Sequence, residues 1–105
     1  MNFNEEEKVA IAWSLLALAE VDGSKTMEEL RKITDITMSI GFDPSKGLAL
    51  VNNLKNFEAY AVFRKCTLEK KAFIKKTLEE LASADTEINH LEKEALSQII
   101  LFGEL

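Results

Sequence analysis

Proline occurs once and glycine four times in 105 residues, too few for sheets joined by many tight turns. Leu, Ala, Glu and Lys dominate instead, which is the residue usage of helices. Cysteine also occurs once, as Cys66, so no internal disulfide can form. Together with the single histidine, His90, it cannot supply the four ligands a zinc site normally takes. A reducing, cytoplasmic setting is expected. Positive charge is missing where an export signal needs it, because the chain opens Met1-Asn2-Phe3-Asn4-Glu5-Glu6-Glu7. Long apolar runs are missing too: the stretch from Val9 to Ala19 is interrupted by Ser14 and closed by Glu20, short of the ~20 residues a membrane span requires. No glycine-rich phosphate loop, Gly-x-Ser-x-Gly elbow or His-Glu-x-x-His sequence is present, and a lone histidine leaves little scope for a base-assisted nucleophile. A catalyst is not expected. The net charge of -5 repels nucleic-acid phosphates and anionic membrane surfaces.

What is present is helical periodicity from end to end, in one domain spanning 1–105. Asn4 caps a first helix running from about residue 4 to Val21, with three glutamates at the positive end of its dipole. Its apolar residues cover most of the circumference, so it is expected at the centre of the fold. Thr26 opens a second helix carrying Leu30, Ile33, Ile36, Thr37 and Ile40, closed by Gly41 in the left-handed conformation with Phe42 folded back. Asp43-Pro44 starts a third helix presenting Leu48, Leu50, Val51 and Leu54, which Gly47 weakens. A short fourth helix is predicted over 58–65. A fifth follows over 68–84, with Leu68, Ala72, Ile74, Leu78 and Leu81 inward. The last carries Leu91, Ala95, Leu96, Ile99, Ile100 and Phe102 and is stopped by Gly103. The expected fold class is therefore all-α, a compact bundle of about six helices.

Two stretches repeat. Leu18-Ala19-Glu20-Val21-Asp22-Gly23 and the run to Glu29 align with Leu81-Ala82-Ser83-Ala84-Asp85-Thr86 and the run to Glu92. Asp85 follows Asp22 by 63 residues, and Glu92 follows Glu29 by the same 63. This is an internally duplicated helix-turn-helix unit. Over nearly its full length the chain resembles the tellurite-resistance protein B-like (TerB-like) family, whose members carry an Ala-x-x-Asp-Gly turn with a glutamate seven residues after the aspartate, typically twice. Here Thr86 replaces the second turn glycine, and Lys25 stands where Ile88 stands in the second copy. The resemblance implies a compact helical bundle whose paired acidic residues, Asp22, Glu29, Asp85 and Glu92, hold a divalent cation, in proteins tied to stress responses including tellurite resistance.

The residues themselves admit two readings. The four carboxylates, brought together about a pseudo-twofold axis, would offer the hard oxygen ligands that calcium, magnesium or manganese prefer. Equally, Thr26-x-x-Glu29 and Asn89-x-x-Glu92 are both capping boxes, with Asp22 and Asp85 shaping turns. An EF-hand is excluded, since His90 and Leu96, or Met27 and Ile33, occupy its glycine and closing-glutamate places. His90 is either an added ligand or a solvated first-turn residue. Cys66, near Arg64 and Lys70, is either an activated thiol or a plain buried one. Residues 64–76 hold six cations against Glu69 alone, a balance of +5 that leaves -10 elsewhere. That basic face, with Lys71 and Lys75 as its candidate contacts, either meets a protein partner or is a solvated surface laced by Lys75 with Glu79 and Lys76 with Glu80. Trp13, Phe57, Tyr60, Phe63 and Phe73 are expected in helix contacts, not as a stacking platform for bases.

Overall fold

A computed structural model describes residues 2–21, 26–83 and 90–105. Six helices make up the described chain: α1 (Glu5–Glu20), α2 (Met27–Ser39), α3 (Pro44–Asn53), α4 (Asn56–Arg64), α5 (Leu68–Ala82) and α6 (His90–Gly103). None is long and apolar enough to cross a membrane, and no strand occurs among the described residues.

Helix α1 begins where Asn4 Oδ1 accepts the Glu7 amide at 2.8 Å while Glu7 Oε1 accepts the Asn4 amide at 2.8 Å. This reciprocal cap satisfies two amides that the first turn leaves open. Beyond it, α1 packs against all five other helices and buries Ile11, Leu15, Leu18 and Ala19 completely. Its one fully buried hydroxyl, Ser14, donates to the Ile11 carbonyl at 2.7 Å, so no polar group there goes unmet. The expectation of a central first helix holds.

The duplication extends well beyond the turn. Ile11, Leu15 and Leu18 of α1 and Ile74, Leu78 and Leu81 of α5 stand 63 residues apart in sequence, and all six are fully buried. Ser14 and Thr77 share that offset, and each hydroxyl donates to the carbonyl three residues back. Helix α1 rests on α2 as α5 rests on α6, α1 on α6 as α2 on α5, and α1 on α5. That is the contact pattern of two equivalent hairpins about a pseudo-twofold axis. Helices α3 and α4 are inserted between them.

At the end of α2, Gly41 takes φ 77°. The Phe42 amide reaches the Thr37 carbonyl at 2.9 Å and the Gly41 amide reaches Met38 at 3.2 Å, the paired bonds of a Schellman ending. Phe42 is thereby folded against α3, where Gly47 makes room for it: a Cβ on Gly47 would overlap the Phe42 ring. Gly47 is a packing requirement, not only a weakness in α3.

Several expectations need correction. Helix α4 starts at Asn56, two residues before the predicted position, because the Lys55 amide finds Glu58 Oε1 at 3.0 Å. Helix α6 is not stopped by Gly103; it includes Gly103, and Glu104 takes the left-handed φ of 56°. Gly103 serves close approach instead, since a Cβ there would sit 3.1 Å from the buried Phe63 ring. Leu68 is 84% exposed and Ala72 is exposed, so the inward face of α5 is Ile74, Thr77, Leu78 and Leu81. In α6 the first turn turns Glu92 inward and leaves Leu91 half out. Phe57 is exposed, while Phe63 is fully buried and Trp13 meets Tyr60 edge-on at 5.8 Å.

Candidate functional site

Glu29 and Glu92 are each the third residue of their helix, at equivalent positions of the two hairpins. Both are buried, at 1% and 3% exposure, which is unusual for a carboxylate. Lys32, one turn after Glu29, pairs with Glu80 in the last turns of α5 at 3.7 Å. The start of α2 thus lies at the end of α5 from which the chain leads into α6, and both glutamates belong to that pole. Each sits in the first turn, where the helix dipole favours negative charge.

Glu29 uses one oxygen for the cap. Its Oε1 accepts the Thr26 amide at 3.2 Å and the Thr26 hydroxyl at 3.3 Å, and the Glu29 amide returns to Thr26 Oγ1 at 3.1 Å. The capping box read from the sequence is therefore formed. The other oxygen, Oε2, is buried with no hydrogen-bond partner among the described residues. A cap alone does not require that, because a capping glutamate can leave its second oxygen in water.

Asp22 and Asp85, with the second cap residue Asn89, lie outside the described residues. Among the described residues no three His, Cys, Asp or Glu side chains gather into one group. His90 does not turn toward Glu92: it is exposed, with Nε2 3.0 Å from Glu94 Oε1 on the outer face of α6. Comparison with protein-family models, curated proteins and solved structures returned no match.

The basic stretch is less uniform than its composition suggests. Arg64 donates to the Phe102 carbonyl at 2.8 Å and lies 4.0 Å from Glu104, tying α4 to the end of α6. Lys70 is half-buried and turned toward Glu7. Lys71 is half-buried, and Lys75 and Lys76 are exposed. The expected ladders from Lys75 to Glu79 and from Lys76 to Glu80 do not form among the described residues, Glu80 being engaged across the helix gap by Lys32.

Lys70 leads to a cluster the sequence reading missed. Its ammonium lies 2.9 and 3.1 Å from the two oxygens of Glu7, which is itself buried. The Cys66 thiol donates to Glu7 Oε2 at 3.5 Å, and the Phe3 ring lies beneath the ammonium at 5.7 Å. Burial pushes the Glu7 carboxyl up, but the Asn4 amide, Lys70 and Cys66 outweigh it and hold the group below its ordinary value. Burial and the Glu7 carboxylate push the Cys66 thiol up to about 11. The lysines near it do not activate it. The overlooked signal was spacing: Glu7 leads the buried series Ile11, Leu15, Leu18, and Lys70 leads Ile74, Leu78, Leu81 at the same steps.

Proposed function

We propose that this chain is a small, non-catalytic TerB-like domain that holds a divalent cation at the pole where α2 and α6 begin. In this reading the domain works within a stress response of the tellurite-resistance type in the cytoplasm. Glu29 and Glu92 would hold the ion, with Asp22 and Asp85 as their companions from the duplicated motif. All four are oxygen donors, the class that suits calcium, magnesium or manganese. The observation that carries the proposal is the buried Oε2 of Glu29, which has no partner among the described residues. A carboxylate oxygen withdrawn from water without a partner is costly, and a cation would offset that cost.

The test is thermal unfolding in EDTA, then with each cation. A ligand at ~100 times its Kd stabilises a fold by about 2.7 kcal/mol, a rise of roughly 10–20 °C for a domain this size. Glu29→Gln isolates the ion from the cap, because glutamine can also close a capping box. The expected result is a metal-dependent rise in the wild type that vanishes in Glu29→Gln and in Asp22→Asn. No rise with any of the three cations sinks the proposal.

A second reading is a metal-free protein-interaction module using the outer face of α5, favoured by Lys75 and Lys76, which are exposed and without an ion pair among the described residues. It expects Lys71→Glu with Lys75→Glu to abolish capture of an acidic partner while the fold is unchanged.

A further inference from the structure

We propose that the groove between the start of α1 and the inserted helices α3 and α4 is a docking site for a cationic amphipathic helix of a partner protein. The groove has a volume of about 570 Å³, within the range of sites that enclose several side chains. Val9, Leu54 and Val62 line it. Leu50 and Phe57 line it too, at 54% and 61% exposure. This is independent of the cation reading, whose glutamates belong to another part of the molecule.

Three observations converge on that occupant. Of the groove's apolar residues, Leu50, Leu54, Phe57 and Val62 are on the inserted segment, which has no counterpart in the second hairpin, and Val9 is on α1. Helix α3 buries only Gly47 and Val51, so Leu50 is more apolar surface than its packing uses. An exposed apolar patch of this kind, rimmed by charge, marks an interaction surface. Next, the rim is acidic: Glu5, Glu6 and Glu58 line the groove against Lys65, with the Lys55 ammonium 6.0 Å from the Phe57 ring. Glu6 has no ion pair among the described residues, while Glu5 shares Lys8 at 3.3 Å. Such a rim selects a cationic partner by charge complementarity, and it repels an anionic bilayer or a nucleic acid. Finally, the walls are helices, and no strand edge is available among the described residues. A partner segment cannot dock here by adding a strand; a helix laying its apolar stripe into the groove, anchored at i, i+3/i+4 and i+7, suits these helical walls. The cleft between α2 and α5, about 280 Å³, lacks this character: Lys32, Asp35, Lys76 and Glu80 line it with both signs.

The experiment uses the full chain and two synthetic helical peptides of about 15 residues, long enough to form a helix. Both have the same leucine stripe, one with lysine and the other with glutamate on the remaining positions. Fluorescence anisotropy should show saturable binding of the leucine–lysine peptide and none of the leucine–glutamate one. Leu50→Ser and Phe57→Ser change exposed side chains, and circular dichroism checks that they leave the fold intact. Each should weaken binding at least tenfold, as should Glu6→Lys, whereas Lys75→Glu on α5 should leave affinity within twofold. Equal binding of the two peptides, or unchanged affinity in Phe57→Ser, overturns the proposal. So does a concentration-dependent dimer that Leu50→Ser dissociates, since a second copy would then be the occupant.

Discussion

At the scale of single residues, the Glu7 cluster joins three chemistries that sequence composition keeps apart. The carboxylate caps α1, neutralises Lys70 and raises the thiol of Cys66. Glu7→Gln retains the cap, since glutamine serves a capping box equally, but leaves the partly buried ammonium unpaired. A loss of about 1–2 kcal/mol is expected, between the worth of an exposed and a buried pair. The pH dependence has a definite sign. Because the native carboxyl lies below its ordinary value of 4.5, its stabilisation is complete above that value and is lost as pH falls through the native one. Urea unfolding should show a constant gap between wild type and Glu7→Gln from pH 7 to 5, narrowing below about 4.5. The thiol gives a second readout. At about 11 against an ordinary 9.0, Cys66 holds roughly a hundredfold less thiolate at pH 8 than a free cysteine. Alkylation of the native chain should be slower than that of the unfolded chain, and faster in Glu7→Gln, where the repelling carboxylate is gone.

At the scale of elements, termini were easier to read than faces. The Thr26 cap, the Gly41 ending with Phe42 behind it, and the Asp43-Pro44 start were legible because each depends on a few adjacent residues whose chemistry is local. The face a helix turns inward depends on partners distant in sequence. Leu68 matches the periodicity of α5 but stands in its first turn, 84% exposed. Glu92 reads as surface by residue type, yet it is buried in the position equivalent to Glu29. Its burial could have been anticipated only by trusting the repeat above the residue's polarity. In α3, helix propensity and packing oppose one another at Gly47. Alanine there would favour the isolated helix by about 1 kcal/mol, but its methyl would displace the Phe42 ring, and overpacking of this kind costs typically 1–3 kcal/mol. Gly47→Ala should therefore lower the unfolding midpoint, and a higher midpoint would show that Phe42 moves aside freely.

For the whole molecule, the two hairpins make the acidic pole a shared property. Glu29 and Glu92, 63 residues apart in the repeat, are both buried at one end of the bundle; Asp22 and Asp85 lie outside the described residues. Equivalent placement makes a joint prediction. On the cation reading, Glu92→Gln should diminish any rise in unfolding temperature with cation as much as Glu29→Gln is expected to. A large effect from one and none from the other would mean that the hairpins do not share an ion. The insertion of α3 and α4 follows a different logic, because it has no counterpart in the second hairpin and leaves Leu50 and Phe57 exposed beside α1.

Glu7 and Lys70 occupy the same position in the two hairpins and meet each other across the pseudo-twofold axis. A true twofold cannot hold such a pair. Two copies of the first hairpin, assembled as α1 and α5 are, would bring carboxylate against carboxylate at this point, and two copies of the second would bring ammonium against ammonium. The ion pair therefore encodes a preference of each half for its unlike sibling over itself. That discrimination comes from heterology between the repeats, and covalent linkage supplies the unlike sibling at every folding event.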